Sequence, residues 1–175
     1  MTLCALFAAL IVIGTFIRIP FYPVSFTLQV LFVTLSGLIL GPKWGTISVI
    51  LYILLGLVGL PVFSNGSGGP GYVLTPTFGY ILGFIAGAVV TGLIANRGNF
   101  SFVRGLLAGL AGVVVIYALG TVYGYLILHL YMGKDTSLGY MLWNFCVIFL
   151  PGDLIKCIAA ALLAKAVRPA LSKRA

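Results

Sequence analysis

The sequence predicts an all-α integral membrane protein, a bundle of six transmembrane helices with Gly-rich outer loops, built as one domain over residues 1–175. Three observations carry this. The hydrophobic fraction is 62 % and the charged fraction only 7 %, where a soluble domain carries about 25 %. Mean hydropathy is +1.23. Apolar runs recur at 3–19, 24–40, 46–60, 78–95, 104–130 and 151–168. A surface this poor in charge has lipid as its solvent.

The first run, within "MTLCALFAAL", lacks a basic n-region and a clear cleavage site, and reads as a membrane helix rather than a signal peptide. Several runs approach the roughly 17-residue lower limit for crossing the hydrocarbon, so their flanks must contribute. The sixth run is "PGDLIKCIAAALLAKAVR". Proline fits the first turn of a helix, where its missing N–H matters least, so this helix starts near Pro151. The preceding "SLGYMLWNFCVIF" is then a short helix lying against the bundle, with a single long kinked helix from Leu138 as the alternative. Small residues recur at helix-packing spacing: Gly79, Gly83 and Gly87, then Gly105, Gly109, Gly120 and Gly124, and Ala5 and Ala9 on the first helix.

Six spans place both termini on one side. One side collects Lys43, Arg97, Arg104, Lys165, Arg168, Lys173 and Arg174, and the other Arg18, Lys134 and Lys156. The excess favours cytoplasmic termini. The net charge of +8 does not indicate nucleic acid, because the basic residues are scattered over short loops and the tail. Cys4, Cys146 and Cys157 form no C-x-x-C pair and read as small apolar side chains.

Catalytic groups are sparse. There is no G-x-x-x-x-G-K-[ST] phosphate loop; "GPKWGT" lacks the spacing. No metal-ligand cluster is visible, and the one histidine, His129, reads as a boundary residue near the end of the fifth helix. No nucleophile has an acid or base beside it. The chain reads as a protein of recognition and transport, not an enzyme, without cofactor or metal.

The recognising chemistry centres on "FLPGDLIK". The chain has two acidic residues, Asp135 and Asp153, and Asp153 precedes Lys156 by three positions on one helix face. Charges at membrane depth are costly and face the bundle interior or a cavity. The pair is either a self-neutralising structural bridge or a ligand clamp offering acceptors beside donors. A cyclic urea, with N–H groups flanking a carbonyl, suits such a clamp. Gln29, Ser64, Asn65, Ser67, Thr75, Tyr80, Tyr123, Tyr125 and Asn144 are the other polar residues toward the outer side. The tyrosines fit a ligand wall or an interfacial aromatic belt, and Asn65 a site or a turn before Gly66. Two outer segments, "GLPVFSNGSGGPGYVLTPTFGY" and "RIPFYPVSFTLQ", read as covers over one site.

"PVSFTLQVLFVTLSGLILGPKWG", "LYILLGLVGLPVFSNGSGGPGYVLTPTFGYILGF" and "FLPGDLIK" resemble the biotin S-components, the substrate-binding membrane subunits of energy-coupling factor transporters. The resemblance covers most of the chain. It implies a six-helix cell-membrane subunit, surrounded by lipid, that captures biotin on the outer side. It implies as partners a transmembrane coupling subunit and two ATPase subunits that supply the energy. It implies biotin binding by Asp153 and Lys156 at the ureido ring, with Asn65, Tyr80, Gln29 and Asn144 completing the site. Asn65, backbone N–H groups and Arg18 are the candidates for the ligand carboxylate. The two outer segments would be lids, and Ala5 and Ala9 the face that docks the coupling subunit. Where family members often carry "PVP", this chain has Pro23, Val24 and Ser25, which leaves that lid less stiffened. Competing functions are capture of another vitamin, such as riboflavin or thiamine, and an autonomous membrane enzyme or channel.

Overall fold

The computed structural model describes residues 1–19 and 26–172. Pro23, Val24 and Ser25 of the first outer segment, and Lys173 and Arg174 of the tail, lie outside the described residues.

The chain is mostly helical. Helix α1 (Thr2–Phe16) leads into a two-strand antiparallel ribbon of β1 (Arg18–Ile19) and β2 (Phe26–Thr27), which pairs Arg18 with Thr27 and Ile19 with Phe26. Then come α2 (Gln29–Leu57), α3 (Phe78–Ala95), α4 (Phe102–Leu126), the short α5 (Leu138–Phe145) and α6 (Leu150–Ser172). Among the described residues, four helical stretches are long and apolar enough to cross a membrane: Gln29–Leu57, Phe78–Ala95, Phe102–Tyr131 and Gly139–Leu171. Helix α1 is apolar but has only 15 residues.

The second and third apolar runs are joined in α2. They are separated by a break at Gly41, whose φ of 78° and ψ of −175° leave the helical region. Only glycine adopts that conformation without strain. Pro42 then opens the second arm, where no helical N–H is required of it. The break packs on α3: a Cβ at Gly92 would stand 2.4 Å from the Pro42 nitrogen. The break falls in the gap between the apolar runs 24–40 and 46–60. The chain turns there within one residue and resumes its helix.

Helices α3 and α4 form the most extensive contact in the bundle, and α6 packs on α2 and α4. Glycine makes the α3–α4 approach close. Side chains at Gly83 and Gly112 would collide with the Ile116 backbone at 2.9 Å and with Thr91 Oγ1 at 2.2 Å. Thr91, buried in this seam, donates across it to the Ala108 carbonyl at 3.2 Å. In a bilayer, where lipid competes for apolar contact, such close backbone packing holds helices together.

The long segment between α2 and α3 is folded. It forms 3₁₀ turns at Ser64–Gly66 and Pro70–Leu74 and an isolated bridge between Phe63 and Ser67. Phe63 is fully buried, set against Gly56, where a Cβ would meet its ring at 2.1 Å. Its ring continues into Tyr72 at 4.6 Å and is edge-on to Tyr52 at 5.7 Å. Aromatic burial therefore anchors a segment that is otherwise rich in glycine.

Residues 137–150 lie between the two expected alternatives. Helix α5 is separate, ended by Cys146 at φ −129° and ψ −64°, and the turn Val147–Phe149 leads directly into α6. Helix α6 begins at Leu150, one residue before Pro151.

Candidate functional site: a cavity closed by a buried ion pair

A cavity of about 550 Å³, including its mouth, lies among β2, the ends of α2 and α3, the Ser64 turn, α4 and the first turns of α6. Asp153 and Lys156 form one wall, Tyr117 of α4 and Tyr80 of α3 another. Phe26 and Phe149 lie on the ribbon and α6 side; Gln29, Ser64, Tyr72 and Thr77 are among the remaining lining groups.

The first turn of α6 is built for the ion pair. Asp153 sits where the helix dipole favours a carboxylate. Its Oδ1 accepts from Lys156 Nζ at 2.6 Å, and the two side chains are only 4 % and 7 % exposed. Its Oδ2 accepts from the Tyr117 hydroxyl at 2.5 Å. The ammonium also lies 3.7 Å from the centre of the Phe26 ring, a close cation–π contact. Phe26 stacks on Phe149 at 6.0 Å. Gly152 makes room for this cover, since a Cβ there would stand 2.0 Å from the Phe26 ring. In "PGDLIK", then, glycine seats the aromatic cover, aspartate and lysine form the pair, and proline opens the helix that carries them.

Above the pair, polar side chains are held in fixed orientations. Gln29 accepts from Thr27 Oγ1 at 2.9 Å and donates to the Tyr52 hydroxyl at 2.7 Å, which in turn donates to the Val62 carbonyl at 3.3 Å. This chain joins the ribbon, both ends of α2 and the folded segment after it. The Tyr80 hydroxyl donates to the Phe145 carbonyl, tying α3 to the end of α5. Tyr80 lies edge-on to Tyr117 at 6.4 Å, over Gly120, where a Cβ would meet the Tyr80 ring at 2.7 Å.

The structure gathers four of the six residues expected at the ligand, Asp153, Lys156, Tyr80 and Gln29, around this cavity. Asn65 and Asn144 are not among its lining residues. Asn65 is exposed in a left-handed conformation at φ 65°, and its Oδ1 accepts from Arg18 Nη1, so the two covers meet through that pair beside Ser64. Asn144 faces back along α5, donating from Nδ2 to the Tyr140 carbonyl at 2.9 Å. Tyr123 closes the segment before α3 by donating to the Val73 carbonyl, and Tyr125 stacks on His129 at 5.4 Å. His129 itself is half exposed, 3.5 Å from Asp135.

Sequence reasoning missed Phe26, Tyr72, Thr77, Tyr117 and Phe149. Phe26 had a readable signal, because a glycine beside the only apolar-run aspartate asks what large group it admits. Tyr117 had none: it lies mid-run, and only the α4–α6 contact brings it to Asp153.

Ala5 and Ala9 lie on the exposed face of α1, while Phe7, Ala8 and Ile11 are buried on the other.

Comparison with known proteins places the chain. It matches the BioY family over residues 1–173. It is 48 % identical to the biotin transporter BioY of Thermotoga maritima, across 91 % of this chain and 89 % of that protein. It is 40 % identical to the probable biotin transporter BioY of Lysinibacillus sphaericus, across 94 % of this chain and 84 % of that one. The fold superposes on a crystal structure of the S-component for biotin from an ECF-type ABC transporter with a TM-score of 0.82 at 30 % identity, covering 96 % of this chain and 89 % of the other. A mostly helical chain with long apolar helices, a cavity walled in part by a buried ion pair and relatives matched over nearly their full length converge: this chain belongs to the BioY family of transporter S-components.

Proposed function

We infer that this protein captures biotin as the substrate-specific subunit of an ECF-type ABC transporter in the cell membrane. The observation that carries this is the Asp153–Lys156 pair on the wall of a cavity otherwise lined by uncharged, largely aromatic and aliphatic residues, in a chain 48 % identical to a biotin transporter. Biotin presents a urea with two N–H groups flanking a carbonyl. A carboxylate oxygen suits one N–H, and the ammonium beside it suits the carbonyl. Phe26, Phe149 and Tyr80 offer the apolar faces that the fused ring needs. Gln29 adds a polar group on the opposite wall. The Arg18–Asn65 pair, next in sequence to the lining residue Ser64, offers donors for the valeryl carboxylate. Asn144, turned to its own helix, is the weakest member of the expected set.

In this reading α1, the two arms of α2, α3, α4 and α6 are six membrane crossings, with both termini in the cytoplasm. The exposed Ala5–Ala9 face of α1 docks a transmembrane coupling subunit, and two ATPase subunits drive the cycle. The ribbon and the Ser64–Leu74 segment act as lids, and the loaded subunit reorients when the partners act. Ligand couples to that motion only through different affinity for its two states.

Titration of the purified protein in detergent tests the reading. Biotin binds with about 1:1 stoichiometry, and riboflavin and thiamine do not compete. Competition by either vitamin with no binding of biotin would overturn it.

A further inference from the structure

The end of the bundle opposite the cavity holds arginines that no acid of the chain can neutralise. The chain has two side-chain carboxylates, Asp135 and Asp153. Asp153 is paired with Lys156, and Asp135 lies beside His129. Arg168 lies about 22 Å beyond Asp153 along α6, by the rise of an α-helix. Asp135 comes after α4, whereas Arg104 is in its first turn.

Here the ends of α3 and α6 and the turn into α4 frame an open hollow lined by Asn96, Gly98, Asn99, Phe100, Arg168 and Pro169. Arg168 is half-buried and held on three sides. Its guanidinium lies over the Phe100 ring at 4.4 Å. It donates from Nη1 to the Ala95 carbonyl at 3.3 Å and from Nη2 to Asn96 Oδ1. Both acceptors are neutral, and a guanidinium carries further N–H groups in the same plane. Arg104 Nη1 donates to the Asn99 carbonyl, which sets a second guanidinium beside Gly98, where a Cβ would stand 3.1 Å from it. Lys165, exposed one turn before Arg168, adds a third cation on the same helix face. The matching ligand is an anion with several oxygens, and the planar fork of arginine fits phosphate.

The helix surfaces next to the hollow are apolar. Leu93 of α3, Val103 and Leu107 of α4, and Leu163 and Val167 of α6 are exposed. Leu93 shares a helix face with Asn96 of the hollow. An amphiphile uses both features, its phosphate at the guanidinium groups and its acyl chains along the helices. A soluble phosphate or a protein carboxylate uses only the first.

We propose that this hollow binds the phosphate of an anionic membrane lipid, with Arg168 as the central contact and Arg104 beside it. Basic pockets between membrane helices take such headgroups. The lipid supplies the counter-charge that the chain does not contain and ties together the ends of α3, α4 and α6. The site is independent of the transported ligand.

The full chain in detergent is titrated with phosphatidylglycerol or phosphatidylcholine and followed by native mass spectrometry and unfolding temperature. The unmodified protein retains about one phosphatidylglycerol, binds phosphatidylcholine at least about tenfold more weakly, and gains unfolding temperature from phosphatidylglycerol alone. Arg168→Gln weakens phosphatidylglycerol at least about tenfold and leaves phosphatidylcholine unchanged. Arg104→Gln keeps the Arg168–Phe100 contact and weakens it about threefold, so a folding defect in the first variant does not decide the matter. Lys134→Gln, on the cavity side, changes nothing. Equal retention of the two lipids by the unmodified protein overturns the proposal, as does unchanged selectivity in either arginine variant or an equal loss in Lys134→Gln. Displacement of phosphatidylglycerol by inorganic phosphate would make the ligand a free anion and overturn the lipid assignment. Retention of a polyglutamate peptide in place of phosphatidylglycerol would assign the hollow to a protein carboxylate and overturn it equally.

Discussion

The chain's two aspartates, alike in chemistry, have opposite settings. Asp135 sits after α4 with its side chain 99 % exposed, 3.5 Å from a half-exposed His129. Asp153 sits in the first turn of α6, 4 % exposed, with its two oxygens taken by Lys156 and Tyr117. Water screens the first pair, and such pairs contribute little. The second has left water. Its desolvation is offset only by good geometry and further hydrogen bonds, which Tyr117 and the Phe26 ring provide. Hydrophobic residues of similar volume would hold the helices as well, and the role proposed for the pair is therefore recognition.

The largest expected effect follows from breaking the buried pair. Asp153→Asn leaves Lys156 without its counter-charge and removes the carboxylate from the ligand head. Removing one partner of a buried, hydrogen-bonded charge pair costs about 2–5 kcal/mol, so biotin affinity falls by roughly two orders of magnitude in a calorimetric titration. Next is Gly152→Ala. Its Cβ would occupy the space of the Phe26 ring, and overpacking of this kind costs about 1–3 kcal/mol. Biotin binding weakens about tenfold, while Gly139→Ala, which meets no neighbouring atom, leaves it unchanged. Smaller still is Tyr80→Phe, which frees the Phe145 carbonyl. The loss of about 1 kcal/mol appears as a lower unfolding temperature of the detergent-solubilised protein. Asp135→Asn is the control at the end of the series: neither unfolding temperature nor biotin titration changes. An effect of Asp135→Asn as large as that of Asp153→Asn would break the comparison, because burial would then not distinguish the two acids.

What was legible in the sequence follows the same division. Apolar runs report lipid contact directly, so the helices were readable. The run 78–95 is the observed α3, Phe78–Ala95, and Pro151 located the start of α6 within one residue. The gap between the runs 24–40 and 46–60 marked the α2 break, but not that Gly41 and Pro42 complete it in one residue. In the site, Asp153 and Lys156 were visible because charge in an apolar run is conspicuous. Residue type alone did not show how the amides are held: Gln29 lines the cavity, while Asn65 and Asn144 do not. Asn65 accepts from Arg18 and Asn144 donates within its own helix, and only the fold tells which partner an amide finds first. Tyr117 and Phe149 were hidden for the opposite reason. An aromatic residue in an apolar chain carries no signal until a tertiary contact, here with the first turns of α6, gives it a role.

One measurement separates recognition from structure at the buried pair. In the double variant Asp153→Asn, Lys156→Gln, two neutral amides replace the two charges, so no unpaired charge is buried. Unfolding temperature and biotin titration are followed on the same preparation. The account predicts that the unfolding temperature recovers relative to Asp153→Asn alone while biotin binding stays at least about a hundredfold weaker than that of the unmodified protein. Recovery of both would contradict it, leaving Asp153 and Lys156 as a structural bridge and placing recognition elsewhere in the cavity.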